Sequence, residues 1–207
     1  MELYNSEDEQ VEAIKAWLRQ YGVAIVVGAV IAIGGLVGWH YYQKSESASK
    51  ESVSARYTEV MTSLSSKNSQ AESQVETFIK NNASSEYSVL AALQLAKVQA
   101  EAGDLEKALS QLEMAQKATK DEALKAISTY RIAKIQEEQG HFGVALTSLS
   151  GLKSAAWAGR VSELKGDIFL RQGKLDLAYK SYVEAQQSGD TSQALKMKLD
   201  DLAKQGR

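Results

Sequence analysis

The chain has 207 residues, 26 of them acidic and 24 basic, with neither cysteine nor proline. The near balance of charge argues against a nucleic-acid surface, which carries a basic excess. The lack of cysteine excludes disulfides and thiolate metal sites. Without proline the commonest helix breaker is missing, so glycine is expected to end the helices.

Residues 1–20 read as a short acidic tail, with Glu2, Glu7, Asp8, Glu9 and Glu12 against Lys15 and Arg19. That leaves 21 acids and 22 bases for the rest of the chain. Ser6 and Glu9 have the spacing of a capping box. Val11, Ile14, Leu18 and Tyr21 then recur at three- and four-residue steps, one face of a helix. Such a segment either docks a partner or lies on lipid headgroups, and the sequence favours neither.

Residues 22–42, GVAIVVGAVIAIGGLVGWHYY, contain no Lys, Arg, Asp or Glu. As a helix this run is roughly 30 Å long, the thickness of the hydrocarbon core of a bilayer. Trp39, Tyr41 and Tyr42 stand at one end and Trp17 and Tyr21 at the other, where amphipathic rings prefer the headgroup level. These features predict one transmembrane helix over residues 21–42. A cleaved signal peptide fits less well: its apolar region is ~7–15 residues and its leading segment basic. The small residues Ser45 and Ser47 around Glu46 are weak support for cleavage. A helix buried in a soluble core is rarely apolar on all faces for this length. Ala24, Gly28 and Ala32 fall four apart and are candidates for close packing against another membrane helix. The flanking charges, Lys15 and Arg19 against Lys44 and Lys50, are close to neutral on orientation.

From residue 43 the chain turns polar and helix-rich. Val53, Tyr57, Val60, Met61 and Leu64 keep helical spacing. A loop is expected near residues 65–70. A second helix follows over residues 71–81, with Val75, Phe78 and Ile79 inward. Residues 50–81 thus form a degenerate helix pair.

A repeat then registers on Gly103, Gly140 and Gly173. Seven residues earlier stand Ala96, Ala133 and Gly166; two later, Leu105, Phe142 and Leu175; five later, Ala108, Ala145 and Ala178; nine later, Leu112, Leu149 and Tyr182. Twelve later come Ala115, Leu152 and Ala185. The steps suit a helix–turn–helix solenoid. Each glycine sits where one helix stops and the next starts, and the small residues let the two axes approach. The larger residues at offsets two and nine would fill the layer to the next repeat. Residues 190–205 are expected to cover the open end, with Leu195, Leu199 and Leu202 inward.

This register resembles the tetratricopeptide repeat over about residues 85–188. It departs from that pattern in lacking the closing proline and in having Gln99 and Gln136 where a hydrophobe is usual. The fold class implied is all-α: a single N-terminal transmembrane helix followed by a tetratricopeptide-repeat-like domain over residues 43–207. In such a stack the first helix of each pair lines the concave face. By register, Lys97 and Lys134 face it, with Glu101, Tyr130 and Glu138 nearby. Asp167 stands where a third lysine would, and asparagine is absent from the groove-facing positions, so no clamp for a C-terminal carboxylate is expected. A mixed-charge groove suits weak, broad contact with extended chains.

The opening Met1-Glu2-Leu3-Tyr4, the run Gln10-Val11-Glu12-Ala13-Ile14-Lys15, the Gly-rich span ending in Gly38-Trp39 and the segment Ser154-Ala155-Ala156-Trp157-Ala158 together resemble the YfgM family, ancillary subunits of the SecYEG translocon. The resemblance implies a single-pass protein of the bacterial inner membrane, N-terminus cytoplasmic and repeats periplasmic. It implies association with the SecYEG translocon and with a PpiD-like periplasmic chaperone, and assistance to unfolded secretory chains. A tetratricopeptide adaptor in another envelope assembly, such as cell-wall synthesis or division, is the alternative. No enzyme activity and no cofactor are expected. His40 lies at the membrane edge, and His141 lies in a repeat turn where Asp104 and Lys174 hold the same place. A catalytic or metal site needs several convergent groups. Glu137-Glu138 and Asp200-Asp201 read as solvated helix faces.

Overall fold

The computed structural model describes residues 7–66, 70–189 and 191–204, and all regular structure among them is helical. Ser6 of the expected capping box, the motif at residues 1–4, Asp190 and Gln205 lie outside these residues. The chain divides into two compact units, Met1–Val53 and Ser54–Arg207.

In the first unit, helix α1 (Glu7–Ser65, which continues into the second) carries the apolar stretch. Among the described residues no single helix is long and apolar enough to cross a membrane. The pair Gln10–Ala24 and Val26–Lys44 meets that test together but is bent by 44°. The bend falls inside the span expected over residues 21–42. Gly22 and Gly28 flank it, and glycine is where a helix yields most readily. Most of the large apolar side chains here are in the open, Val23 at 76% and Leu36 at 70% exposure.

In the second unit the end of α1 is followed by α2 (Ala71–Asn81), α3 (Glu86–Glu101), α4 (Leu105–Ala118), α5 (Glu122–Glu138), α6 (Phe142–Ser150), α7 (Ala158–Arg171), α8 (Leu175–Gln187) and α9 (Gln193–Lys204). A single 3-10 turn, Ala155–Trp157, leads into α7. Neighbours along the chain pack in antiparallel pairs, α3 with α4, α5 with α6 and α7 with α8. This is a tetratricopeptide-like solenoid.

The turn within each pair has one chemistry. Gly103, Gly140 and Gly173 have φ of +83°, +78° and +73°. The amide after each glycine donates to a carbonyl five residues back: Asp104 to Gln99, His141 to Gln136 and Lys174 to Phe169, at 2.8, 2.8 and 2.9 Å. The glycine amide itself bonds three residues back. This is the Schellman closure, which needs a left-handed residue at its centre. The same Asp104, His141 and Lys174 then accept, through their own carbonyls, the amides of Ala108, Ala145 and Ala178 and so start the next helix. One residue thus ends one helix and opens another, which fixes the helical phase from repeat to repeat.

The core follows that phase. Ala96, Ala133 and Gly166 face Ala108, Ala145 and Ala178, and all six are buried. Leu112, Leu149 and Tyr182 are buried beside them. The residues two after each glycine differ from expectation. Leu105 and Phe142 are half-buried, and Leu175 is 36% exposed. Leu175 opens the last full pair, and α9 alone follows it. Leu195 and Leu202 of α9 join Ala178, Tyr182 and Ala185, with Leu199 at the edge, and Leu175 is not among them. The glutamines at the hydrophobe position are buried rather than displaced. Gln99 donates to Glu72 at 3.2 Å and Gln136 accepts from Ser148 at 2.8 Å.

Candidate functional site

Because each Schellman turn resets the phase, equivalent positions on α3, α5 and α7 point to one side. Lys97 and Glu101 of α3 with their equivalents Lys134 and Glu138 of α5, and Ile127 and Tyr130 of α5 with their equivalents Arg160 and Glu163 of α7, line a groove of about 700 Å3. Lys97, Glu101, Tyr130, Lys134 and Glu138 all line it, over a floor that includes Ala96, Ala100, Leu112 and Ile135. A second hollow of about 490 Å3 shares Lys97 and Glu101 and continues the lining to Tyr57, Met61 and Leu64. Ala24, Gly28 and Ala32 lie on α1 in the other unit and are exposed. A Cβ built on Gly28 meets nothing within 4 Å.

Further groove residues escape the register reading. Trp157, at the end of the 3-10 turn, stacks on Tyr130 with centroids 5.4 Å apart and planes tilted by 40°. Arg160 lies over the Trp157 ring at 5.4 Å, a cation–π arrangement. Arg131 crosses to α3 and donates to the Leu93 carbonyl at 3.2 Å. In the sequence Trp157 stands out only within the segment 154–158 that carries the family resemblance. The roles of Arg131 and Arg160 depend on contacts between helices that no spacing displays.

The electrostatics are set by who pairs with whom. Lys97 and Glu101 pair along α3 at 3.8 Å. Glu138 is held by Arg171 at 3.4 Å, and Arg171 also holds the buried Glu137 at 3.2 Å. Glu137 is therefore not the solvated residue expected. Its hydrogen bond raises the pKa of the Arg171 guanidinium. Glu163 is bonded by Lys198 of α9 at 2.8 Å. Burial raises the pKa of the Tyr130 phenol, with Glu163 and Asp167 adding to the effect. Among the described residues no group of three or more His, Cys, Asp and Glu is placed to hold a metal ion. Chemically, the groove offers an apolar floor, two stacked rings and charged edges, which is equipment for non-covalent contact.

A family model described as a tetratricopeptide repeat-like domain matches residues 15–204. A protein of Escherichia coli (strain K12) named "Ancillary SecYEG translocon subunit" is 32% identical over 206 residues, which cover 98% of this chain and 100% of that one. The chain belongs to this family. A second member, of the same name and from Aggregatibacter actinomycetemcomitans, is 34% identical over 198 residues, 95% of this chain and 97% of its own. The family likeness thus covers the exposed apolar stretch of α1 as well as the repeats. Among solved structures, that of MamA residues 41 to the end from Desulfovibrio magneticus RS-1 matches with a TM-score of 0.59 at 14% identity, covering 74% of this chain and 84% of that one. That likeness is one of fold.

Proposed function

We propose that this chain is an ancillary subunit of the SecYEG translocon, held in a bacterial inner membrane by its N-terminal helix and acting through protein–protein contacts rather than catalysis. The observation that carries this reading is the match to named translocon subunits over nearly the whole length of both chains. The exposed apolar residues of α1 support the anchor. Twenty-one consecutive residues without a formal charge, with open side chains such as Val23, Ile31, Leu36 and Trp39, find a suitable solvent in hydrocarbon. In this reading the acidic tail is cytoplasmic and the repeats periplasmic. The repeat groove, with Lys97, Glu101, Tyr130, Lys134 and Glu138, takes segments of a PpiD-like chaperone or of emerging secretory chains and shields them in the manner of a chaperone. Ala24, Gly28 and Ala32 face a helix of the translocon.

The test is in-cell photocrosslinking from positions along residues 21–42, with the captured partners identified by mass spectrometry, alongside co-purification after mild detergent extraction. Translocon subunits in both experiments support the reading. Capture of cell-wall or division proteins instead, with no translocon subunit, would overturn it.

A further inference from the structure

Resting on the reading of the groove as a contact surface, we propose that its centre binds an extended segment of another protein in which an acidic side chain lies beside a large apolar one. One pair of register positions is met three times in the repeats. Six residues before the turn glycines stand Lys97, Lys134 and Asp167, and two before them stand Glu101, Glu138 and Arg171. The first two pairs have the same sense and the third is reversed. In the first repeat Lys97 and Glu101 satisfy each other along one helix. In the second, the reversed Arg171 reaches back from α7 and takes Glu138 together with the buried Glu137. Lys134 thereby loses the i+4 partner that Lys97 keeps, and no described carboxylate replaces it. In the third, Asp167 and Glu163 both close on Lys198, at 2.7 and 2.8 Å.

Beyond the Lys97–Glu101 pair, the groove acids Glu138 and Glu163 are therefore engaged from outside it, by Arg171 and Lys198, while Arg131, Lys134 and Arg160 are not. Lys134 is exposed. Arg131 is held only by a carbonyl and Arg160 only by a ring face. No carboxylate among the described residues pairs with any of the three. All line the same groove as the Tyr130–Trp157 stack. A carboxylate set among these cations gains charge-assisted hydrogen bonds. An apolar neighbour covers the rings and the floor between Ile127 and Ile135. The groove crosses three helices, so its occupant is extended.

The experiment uses the full chain in nanodiscs of neutral lipid and fluorescence anisotropy of a roughly ten-residue peptide, long enough to extend about 33 Å. The peptide is capped at both ends and carries one central Asp-Phe pair in a Gly/Ser host. Saturable binding is expected, weakened about tenfold by changing the peptide Asp to Lys or its Phe to Ala, and weakened by added salt. Lys134→Glu, at an exposed position, should leave the melting temperature unchanged. It should bind the Asp peptide about tenfold more weakly and recover affinity for the Lys peptide. Arg160→Gln should weaken the Asp peptide alone. Equal binding of the Asp and Lys peptides, no effect of Lys134→Glu, or no binding at all would overturn the proposal. If translocon subunits still co-purify in that event, the translocon reading survives it. If peptide binding holds and co-purification fails, the reverse is true.

Discussion

Gly166→Ala is expected to destabilise the repeat domain although alanine is the better helix former. A Cβ built on Gly166 would lie 2.3 Å from Cε1, 2.4 Å from Cδ1 and 3.0 Å from Cζ of Tyr182. Carbon atoms in contact prefer about 3.5–4.0 Å, so the ring would have to move by more than ~1 Å. It is not free to do so. Its hydroxyl donates to Asp167 at 2.8 Å, Lys198 sits 5.5 Å from its centroid, and the side chain is fully buried. Overpacking of this kind costs roughly 1–3 kcal/mol, to which a rigid ring belongs at the upper end. Glycine to alanine within a helix returns about 1 kcal/mol. The net loss is about 1–2 kcal/mol, or roughly 2–8 °C in melting temperature for a domain of this size. The other two repeats supply the rescue: where offset nine is Leu112 or Leu149, offset minus seven is Ala96 or Ala133. Tyr182→Leu alone should lose about 2–4 kcal/mol through the vacated volume and the lost hydrogen bond. The double variant Gly166→Ala/Tyr182→Leu should be more stable than the sum of its parts by about 1–2 kcal/mol. Thermal and urea unfolding of the full chain, followed by circular dichroism, gives all four corners of the cycle. A more stable Gly166→Ala, or additive losses, would refute the account of why this repeat alone has glycine there.

Ala145→Leu, at a fully buried position between α5 and α6, should destabilise by roughly 1–3 kcal/mol, whereas Ala158→Leu at the half-buried start of α7 should cost less; equal melting of the two would contradict the register. Stability should be level through neutral pH and fall as pH rises past about 10. Burial alone lowers the Lys198 pKa, but the hydrogen bonds it donates to Asp167 and Glu163 outweigh it, so the folded value lies above 10.5; the Tyr182 phenol is likewise raised, chiefly by burial. Both contributions are complete below the unfolded values, about 10, and are lost as pH climbs through the folded ones. Lys198→Met and Tyr182→Phe should each make the alkaline limb of a pH–stability curve shallower, and an unchanged limb in both would count against the network. Protease added to spheroplasts should digest the repeat domain, while digestion only in inverted vesicles would reverse the proposed topology. Gly28→Leu should keep the chain in the membrane yet weaken translocon co-purification by about 1–2 kcal/mol, roughly five- to thirty-fold. Val27→Leu should not, and equal recovery of both would reduce the helix to a tether.

What the sequence disclosed were the features that repeat. Three glycines in one register announce three left-handed turns, because the Schellman closure tolerates little else. The alanines at offset five are buried because each lies one turn inside a helix whose start the glycine sets. Lys97, Lys134, Glu101 and Glu138 reach the same groove by the same phase. What stayed hidden depends on breaks in the repeat. Trp157 enters the groove from a 3-10 turn that has no counterpart elsewhere among the described residues. Lys198 belongs to α9, which has no equivalent position to compare. The sign reversal at Arg171 could be seen in the sequence, but its effect, the capture of Glu138 and the release of Lys134, needs the distance between α5 and α7. The bend between Ala24 and Val26 likewise lies in an apolar stretch where the glycines that flank it, Gly22 and Gly28, are two of five and do not single it out.

The departures of the third repeat have a common physical source. A solenoid buries each layer against the next, and among the described residues the pair α7–α8 is followed by a single helix, α9. Here a lone helix, α9, must supply what a helix pair supplies elsewhere. Tyr182 replaces leucine and adds bulk to that layer, which requires Gly166 on the opposite helix. Its hydroxyl needs an acceptor once buried, which Asp167 provides in place of the lysine found in the earlier repeats. A half-buried carboxylate needs a cation, and Lys198 brings one from α9, together with a bond to Glu163. Each substitution creates the requirement that the next one meets, and together they tie α7, α8 and α9 to one another. The same chain of requirements decides the charge of the groove. Asp167 and Glu163 are paired with Lys198, and Arg171 has drawn away Glu138, so Arg131 and Lys134 of α5 and Arg160 of α7 line the groove without a carboxylate partner among the described residues. Tying α7, α8 and α9 together and leaving the concave face receptive to acidic segments are, on this reading, two consequences of one set of residues.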